Sequence, residues 1–238
     1  MPHGTVNNLT PTDTSFASAL ERLKRDGSSV LVTGSVGDQQ RQHVTSRLLG
    51  DDAEQRHRRI LVTTTGEGID EHSHQTNSAG ETTVIQYDGD DVTRGSTVAS
   101  SVFTSQTTAP SPTDTDDTTN PDTLGDIGIA ISNAIDTFDD ETLEPGTLRI
   151  GVDSLLPLLE RYGQEAVFQF VHLLNGRVKA AGGMIHYHVP AASDALIVSV
   201  LEPLFDITVT LREHDEAWQE QWILDDDHTS GWIPTEHL

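Results

Sequence analysis

Several short strand-like runs in this chain are apolar at consecutive positions, not at every second one; Val30-Leu31-Val32 and Ile60-Leu61-Val62 are the plainest. A strand with apolar side chains on both faces must be covered on both. That is the pattern of a mainly parallel sheet flanked by helices. Each run ends at a turn signal, and most turns lead into apolar residues at helical spacing. Strands alternating with helices in this way predict an α/β domain in three layers with right-handed crossovers.

In chain order, Phe16 to Lys24 reads as a leading helix closed by Asp26-Gly27. Ser29 to Thr33 is a strand entering Gly34-Ser35-Val36-Gly37, and Asp38 to Leu49 is the helix after it, ended by Gly50. Arg59 to Thr65 and Glu81 to Tyr87 are the next strands. Leu124 to Ile135 is helical, with Leu124, Ile127, Ile131 and Ile135 on one face. The run Leu148-Arg149-Ile150-Gly151-Val152 ends in Asp153-Ser154, which is how a buried strand delivers a carboxylate to the edge of a sheet. A long helix follows from Pro157 to Ala180, its apolar set including Leu158, Tyr162, Phe168, Leu173 and Leu174, with Gly182-Gly183 as its stop. Met184 to Val189 is a fifth strand, Ala191 to Leu201 a helix, and Phe205 to Leu211 a sixth strand. Trp218, Trp222 and Trp232 flank Asp225 to Gly231 in what reads as a terminal antiparallel hairpin. Residues 1–27 form a tail and leading helix, and 28–238 one domain. That domain is interrupted at about 104–123 by a Ser/Thr/Pro/Asp-rich insertion too poor in apolar residues to offset its own ordering entropy.

Charge narrows the setting. The 238 residues carry 38 acidic against 14 basic side chains, a formal net charge of -24, and the basic set includes only two lysines, Lys24 and Lys179. Such a surface keeps molecules apart, and its self-repulsion is tolerable where salt shortens the Debye length to about 3 Å. The composition reads as that of a cytoplasmic protein of an extreme halophile. It speaks against nucleic acid as a partner, since that affinity rests on Lys and Arg against phosphate. Cysteine is absent, which removes disulfides, thiolate metal sites and Cys nucleophiles. No apolar run approaches the roughly 20 residues of a membrane span.

Two places carry chemistry. The turn after the first strand is where a phosphate-binding loop sits in the G-x-x-x-x-G-K-[ST] pattern, whose glycines expose backbone N–H groups, whose lysine reaches phosphate and whose hydroxyl holds Mg²⁺. From Gly34 the chain reads Gly34-Ser35-Val36-Gly37-Asp38-Gln39-Gln40-Arg41. The first glycine is present; the second falls on Gln39, the lysine on Gln40 and the hydroxyl on Arg41. Asp38 adds negative charge, and Arg41 is the local cation that could meet an anion at the helix N-terminus. The second place is Asp153 with Ser154, which reads either as a ligand-edge carboxylate or as a strand-end cap. His186 and His188 lie two apart on one strand and face one side, but no third metal ligand accompanies them. His72, His74 and the Asp225-Asp226-Asp227 run read as solvated loop residues, and no G-x-S-x-G nucleophile elbow is present.

The loop and helix after the first strand, with the later strand ending Val152-Asp153-Ser154, resemble the RecA/KaiC-type P-loop ATPase domain. The stretch from Leu148 to Met184 is similar to KaiC/RecA-like proteins of unknown function in halophilic archaea. The resemblance covers about Ser28 to Leu211. It implies a RecA-like three-layer domain in which Asp153 is the Mg²⁺-side carboxylate and Glu67 lies near a catalytic glutamate. The nucleotide set would be Gly34, Ser35, Gly37, Gln40, Arg41, Asp153 and Ser154, with side-by-side self-association. Three of the four defining loop residues are missing. The expectation is therefore a non-catalytic regulatory or signal-transduction protein that acts through protein contacts and holds no cofactor. The alternative is a divergent Mg-ATP-binding protein or ATPase that relies on Arg41.

Overall fold

The computed structural model describes residues 11–50, 57–65, 81–87, 123–139, 144–215, 217–225 and 228–235. The helices are α1 (Pro11–Asp26), α2 (Asp38–Leu48), α3 (Leu124–Asp139), α4 (Leu156–Ala180) and α5 (Leu196–Leu201), the last running into a 3-10 turn at Glu202–Leu204. The strands are β1 (Ser28–Thr33), β2 (Arg58–Thr63), β3 (Glu81–Gln86), β4 (Leu148–Val152), β5 (Met184–Val189), β6 (Ile207–His214), β7 (Ala217–Asp225) and β8 (His228–Pro234). They form one mixed eight-stranded sheet in the order β3-β2-β4-β5-β1-β6-β7-β8. The pairings from β3 to β6 are parallel, and the β6-β7 and β7-β8 pairings are antiparallel. The expected α/β class, parallel sheet and terminal hairpin are all present.

Consecutive apolar residues in the strands divide between two cores. Leu31, Ile60, Val62, Ile150, Val152, Ile185 and Tyr187 point to one face, where Ile127, Ile131 and Ile135 of α3 and Leu158, Val167, Val171 and Val178 of α4 cover them. Val30, Val32, Met184, Ile207 and Val209 point to the other, under Val44 and Leu48 of α2, with Leu20 and Leu23 of α1 alongside. All six residues of β1 are buried, as are all six of β5. The run of consecutive apolar side chains is thus the cost of a strand covered from both sides.

Three expectations need correction. The long helix is interrupted: Gly163 has φ 79 and ψ 167, so the first turns and the remainder are separate helical segments. Its buried stripe is Val167, Val171, Leu174 and Val178, which leaves Phe168 and Leu173 at 37% and 72% exposure. The helix expected from Ala191 begins only at Leu196, because the residues after Pro190 form turns, with Ala195 in extended backbone as N-cap. The stop of α4 is as expected. Gly182, at φ 64, donates to the Lys179 carbonyl and Gly183 donates to that of Val178, the paired bonds of a Schellman ending. Glu67, His72, His74, Asp226, Asp227 and the 104–122 stretch lie outside the described residues.

Candidate functional site

In an open α/β sheet the ligand edge is the carboxyl end of the strands, at the point where neighbouring strands send their chains to opposite faces. Here that point lies between β1, whose chain continues into α2 on one face, and β5, whose chain continues into α5 on the other. Gly34, Ser35, Gly37, Gln40 and Arg41 are all at or just beyond the end of β1, and Asp153 and Ser154 are at the end of β4. One strand, β5, separates the two sets, so about 10 Å of sheet width lies between them.

The β1 end is closed by its own backbone. Gly34 N–H donates to the carbonyl of Ala191 at 2.9 Å, bridging the crevice between β1 and β5. A Cβ at Gly34 would sit 2.2 Å from the Leu211 carbonyl oxygen, and φ there is +128. This glycine is therefore required by the close approach of β6, whatever else the loop does. Gly37 is different: its backbone is extended (φ -69, ψ 167) and nothing lies within 4 Å of a Cβ placed there. α2 starts at Asp38, so the positions aligned with the second glycine, lysine and hydroxyl of a phosphate loop, Gln39, Gln40 and Arg41, are already helical. Arg41 turns back on the loop. Its Nη1 donates to the Val36 carbonyl at 3.2 Å and its Nη2 pairs with Asp38. Ser35 is exposed.

The β4 end is occupied as well. Oδ1 of Asp153 accepts from Thr64 N–H at 2.8 Å and from Thr64 Oγ1 at 2.8 Å, and Oδ2 accepts from Thr65 Oγ1 at 2.8 Å. Thr64 Oγ1 also lies 2.6 Å from the Ser154 carbonyl. Asp153 N–H donates to Val62 and Leu155 N–H to His188, lacing the ends of β2, β4 and β5 together. Ser154 is buried, and its Oγ accepts from Leu156 N–H at 3.2 Å at the start of α4. Thr64 and Thr65 were not foreseen as partners of Asp153. The signal available was the hydroxyl run Thr63-Thr64-Thr65 at the end of a strand, although sequence cannot say which neighbour it meets.

Beneath α2 lie the two histidines of β5. His186 and His188 face that helix, with ring centroids 5.5 Å apart. His188 Nε2 is 2.9 Å from Thr45 Oγ1 of α2. Burial, with the Arg41 charge adding to it, lowers the His188 pKa to about 3. Burial, followed by His188 and Arg149, holds His186 well below the ordinary imidazole value. Gly151, directly across on β4, has no side chain because the His186 ring takes its place: a Cβ there would lie 2.7 Å from His186 Cε1. Among the described residues no group of three or more His, Asp or Glu side chains is placed to hold a metal ion. No helix among them is long and apolar enough to cross a membrane.

Fold and site together define an α/β protein with a single mixed, mostly parallel sheet, in which the described loops at the carboxyl edge are bonded to neighbouring strands. The chain belongs to a family of unknown function, DUF7504, whose model matches residues 27–211. The match runs from just before β1 into β6 and so contains both the Gly34–Arg41 turn and Asp153. A search of curated proteins found no match.

Proposed function

We propose that the chain is a RecA/KaiC-like domain, in three layers, that has given up phosphate chemistry and acts through protein contacts as a regulatory or signal-transduction component. The observation that carries this reading is the state of Asp153. Both of its oxygens accept from Thr64 and Thr65, so the carboxylate fastens β2 to β4, a role it fills without a metal-bound phosphate. The β1 turn supports the same reading, since Arg41 is spent on Val36 and Asp38. No lysine stands where the nucleotide would be held, and the aligned side chain, Gln40, carries no charge for phosphate. An assembly of like copies or a different protein partner is the expected mode of action. The test is thermal unfolding in high salt with and without Mg-ATP. An unchanged Tm supports the proposal, and a nucleotide-dependent rise lost on Asp153→Ala would refute it.

A second reading, a divergent Mg-ATP-binding protein, draws on one feature of the loop. The N-terminus of α2 has Gly37 as cap and no side-chain capping bond, so its first-turn N–H groups keep capacity for an anion. Arg41 would have to leave Asp38 to serve it. ATP hydrolysis that falls on Arg41→Ala would favour this reading over the first.

A further inference from the structure

α3 and α4 lie side by side over one face of the sheet, and burial accounts for only part of their apolar content. Ile127, Ile131 and Ile135 of α3 and Val171, Leu174 and Val178 of α4 are buried. Ile129 and Leu173 are not: they are 60% and 72% exposed. The two helices meet at Gly128, where an added Cβ would lie 3.7 Å from Phe170 Cε2, and at Asp136, which pairs with Arg177. They therefore run parallel, with position 128 level with 170 and 136 level with 177. Leu173 lies on the flank of α4 that carries Phe170 and Arg177, three residues past one and four before the other. Ile129 follows Gly128 directly, so both exposed side chains border the seam between the helices.

The surface along this seam is uncharged. From Ile127 to Ile135 and from Ala166 to Gly176 there is no Asp, Glu, Lys or Arg, in a chain that carries 38 acidic and 14 basic side chains. The positions exposed there are Ile129, Asn133, Gln169, His172, Leu173 and Gly176, together with Phe168 on the far flank of α4. α1, by contrast, exposes Glu21, Arg22, Lys24 and Arg25. Two chains of net charge -24 repel, and they approach most easily where neither presents charge and both have apolar surface to cover. Charge bounds the patch unequally, with exposed Asp126 and Glu165 at its N-terminal end and Arg177 and Lys179 at the other. Glu165 and Lys179 are each seven residues from His172, about 10 Å along the helix. A twofold axis at that level, with the helices of the two copies antiparallel, sets the basic end of one on the acidic end of the other and opposes their macrodipoles. Arg177 and Lys179 already pair with Asp136 and Asp206, so the acidic end adds a second contact for each. We propose that two copies of this chain dock across such an axis through the α3–α4 seam, with Leu173 and Ile129 of each packed against the other. This rests on the reading of protein contacts above and names like copies as the partner. A patch two helices wide and about 15 Å long fits a reversible pair, not an obligate one.

The test is sedimentation equilibrium of the full chain in multimolar KCl, which screens the mutual repulsion. The wild type should rise from one chain mass towards two as its concentration passes through the micromolar range. Leu173→Glu, at an exposed position, should keep the wild-type circular dichroism and raise the dimer Kd about thirtyfold. Leu196→Glu, 76% exposed on α5, should leave Kd unchanged. A monomer at every concentration, or an equal effect of the two substitutions, overturns the proposal. The chain has no cysteine, so introduced thiols give a second readout without background, which decides if Leu173→Glu fails to fold. Leu173→Cys should cross-link into a dimer through a short bismaleimide and Leu196→Cys should not; the reverse pattern overturns the docking. A monomer that also binds no Mg-ATP removes this interface and leaves the wider reading standing, whereas a dimer through Leu173 that binds Mg-ATP does the opposite.

Discussion

Gly151→Ala is the sharpest test of how the interior beneath α2 is built. The added methyl would lie 2.7 Å from Cε1 and 2.8 Å from Nε2 of His186, and 3.5 Å from Leu49 Cδ2. Unstrained carbon contacts are about 3.5–4.0 Å, so the ring must shift by most of an ångström. His186 is wholly buried, so the shift must be taken up inside the core and not towards solvent. Overpacking of this kind costs about 1–3 kcal/mol, and replacing a strand glycine returns about 0.5–1 kcal/mol. The net expectation is a loss of up to about 2.5 kcal/mol, and for a chain of this size each kcal/mol lost lowers Tm by about 2–4 °C. Urea denaturation in concentrated KCl should show a lower midpoint at unchanged m. The same substitution in a His186→Ala background removes the clashing group, and there Gly151→Ala should be neutral or stabilising. An equal penalty in both backgrounds would show that the ring is not what excludes a side chain at position 151.

The other expectations follow from the same contacts. His188 titrates at about 3 in the folded protein, whereas an unfolded imidazole takes up its proton below about 6.5. Between those values the unfolded state binds more protons. Stability is therefore full above about pH 6.5 and falls as pH drops towards 3, by at most about 1.4 kcal/mol per pH unit for each such imidazole. His188→Gln should flatten the profile, and an unchanged slope would assign the acid loss elsewhere. Asp153→Asn removes an ionised acceptor from the Thr64 and Thr65 donors and should cost about 1–3 kcal/mol in chemical unfolding; no loss would mean those bonds carry little. The two loop glycines should part company. Gly34→Ala meets the Leu211 carbonyl at 2.2 Å and should unfold the protein or cripple its yield, while Gly37→Ser meets nothing and supplies an N-cap for a gain of a few tenths of a kcal/mol.

What the sequence made legible was local. Consecutive apolar residues marked β1 and β2, and Gly182-Gly183 marked the end of α4, because strand coverage and helix stops are written in neighbouring residues. α4 itself was misjudged at Phe168 and Leu173 because Gly163, at φ 79, resets the helical phase, so one periodicity drawn through the whole segment puts the wrong residues inside. The start of α5 was placed early because Ala191 and Ala192 favour a helix while Pro190 and the turns after it do not admit one yet. The site was half legible. Gly34 and Asp153 do stand at the carboxyl edge of one sheet, yet what each is for depends on cross-strand neighbours far away in sequence: Leu211 for Gly34, Thr64 and Thr65 for Asp153, and His186 for Gly151. No local pattern encodes those pairings. They give these residues roles in packing and in bonds within the edge.

The central claim is that this edge no longer holds a nucleotide, and calorimetric titration of the full chain with Mg-ATP in multimolar KCl tests it most directly. The account predicts no binding heat above dilution and no ATP turnover in the same solution. A saturable isotherm that Asp153→Ala abolishes would contradict it.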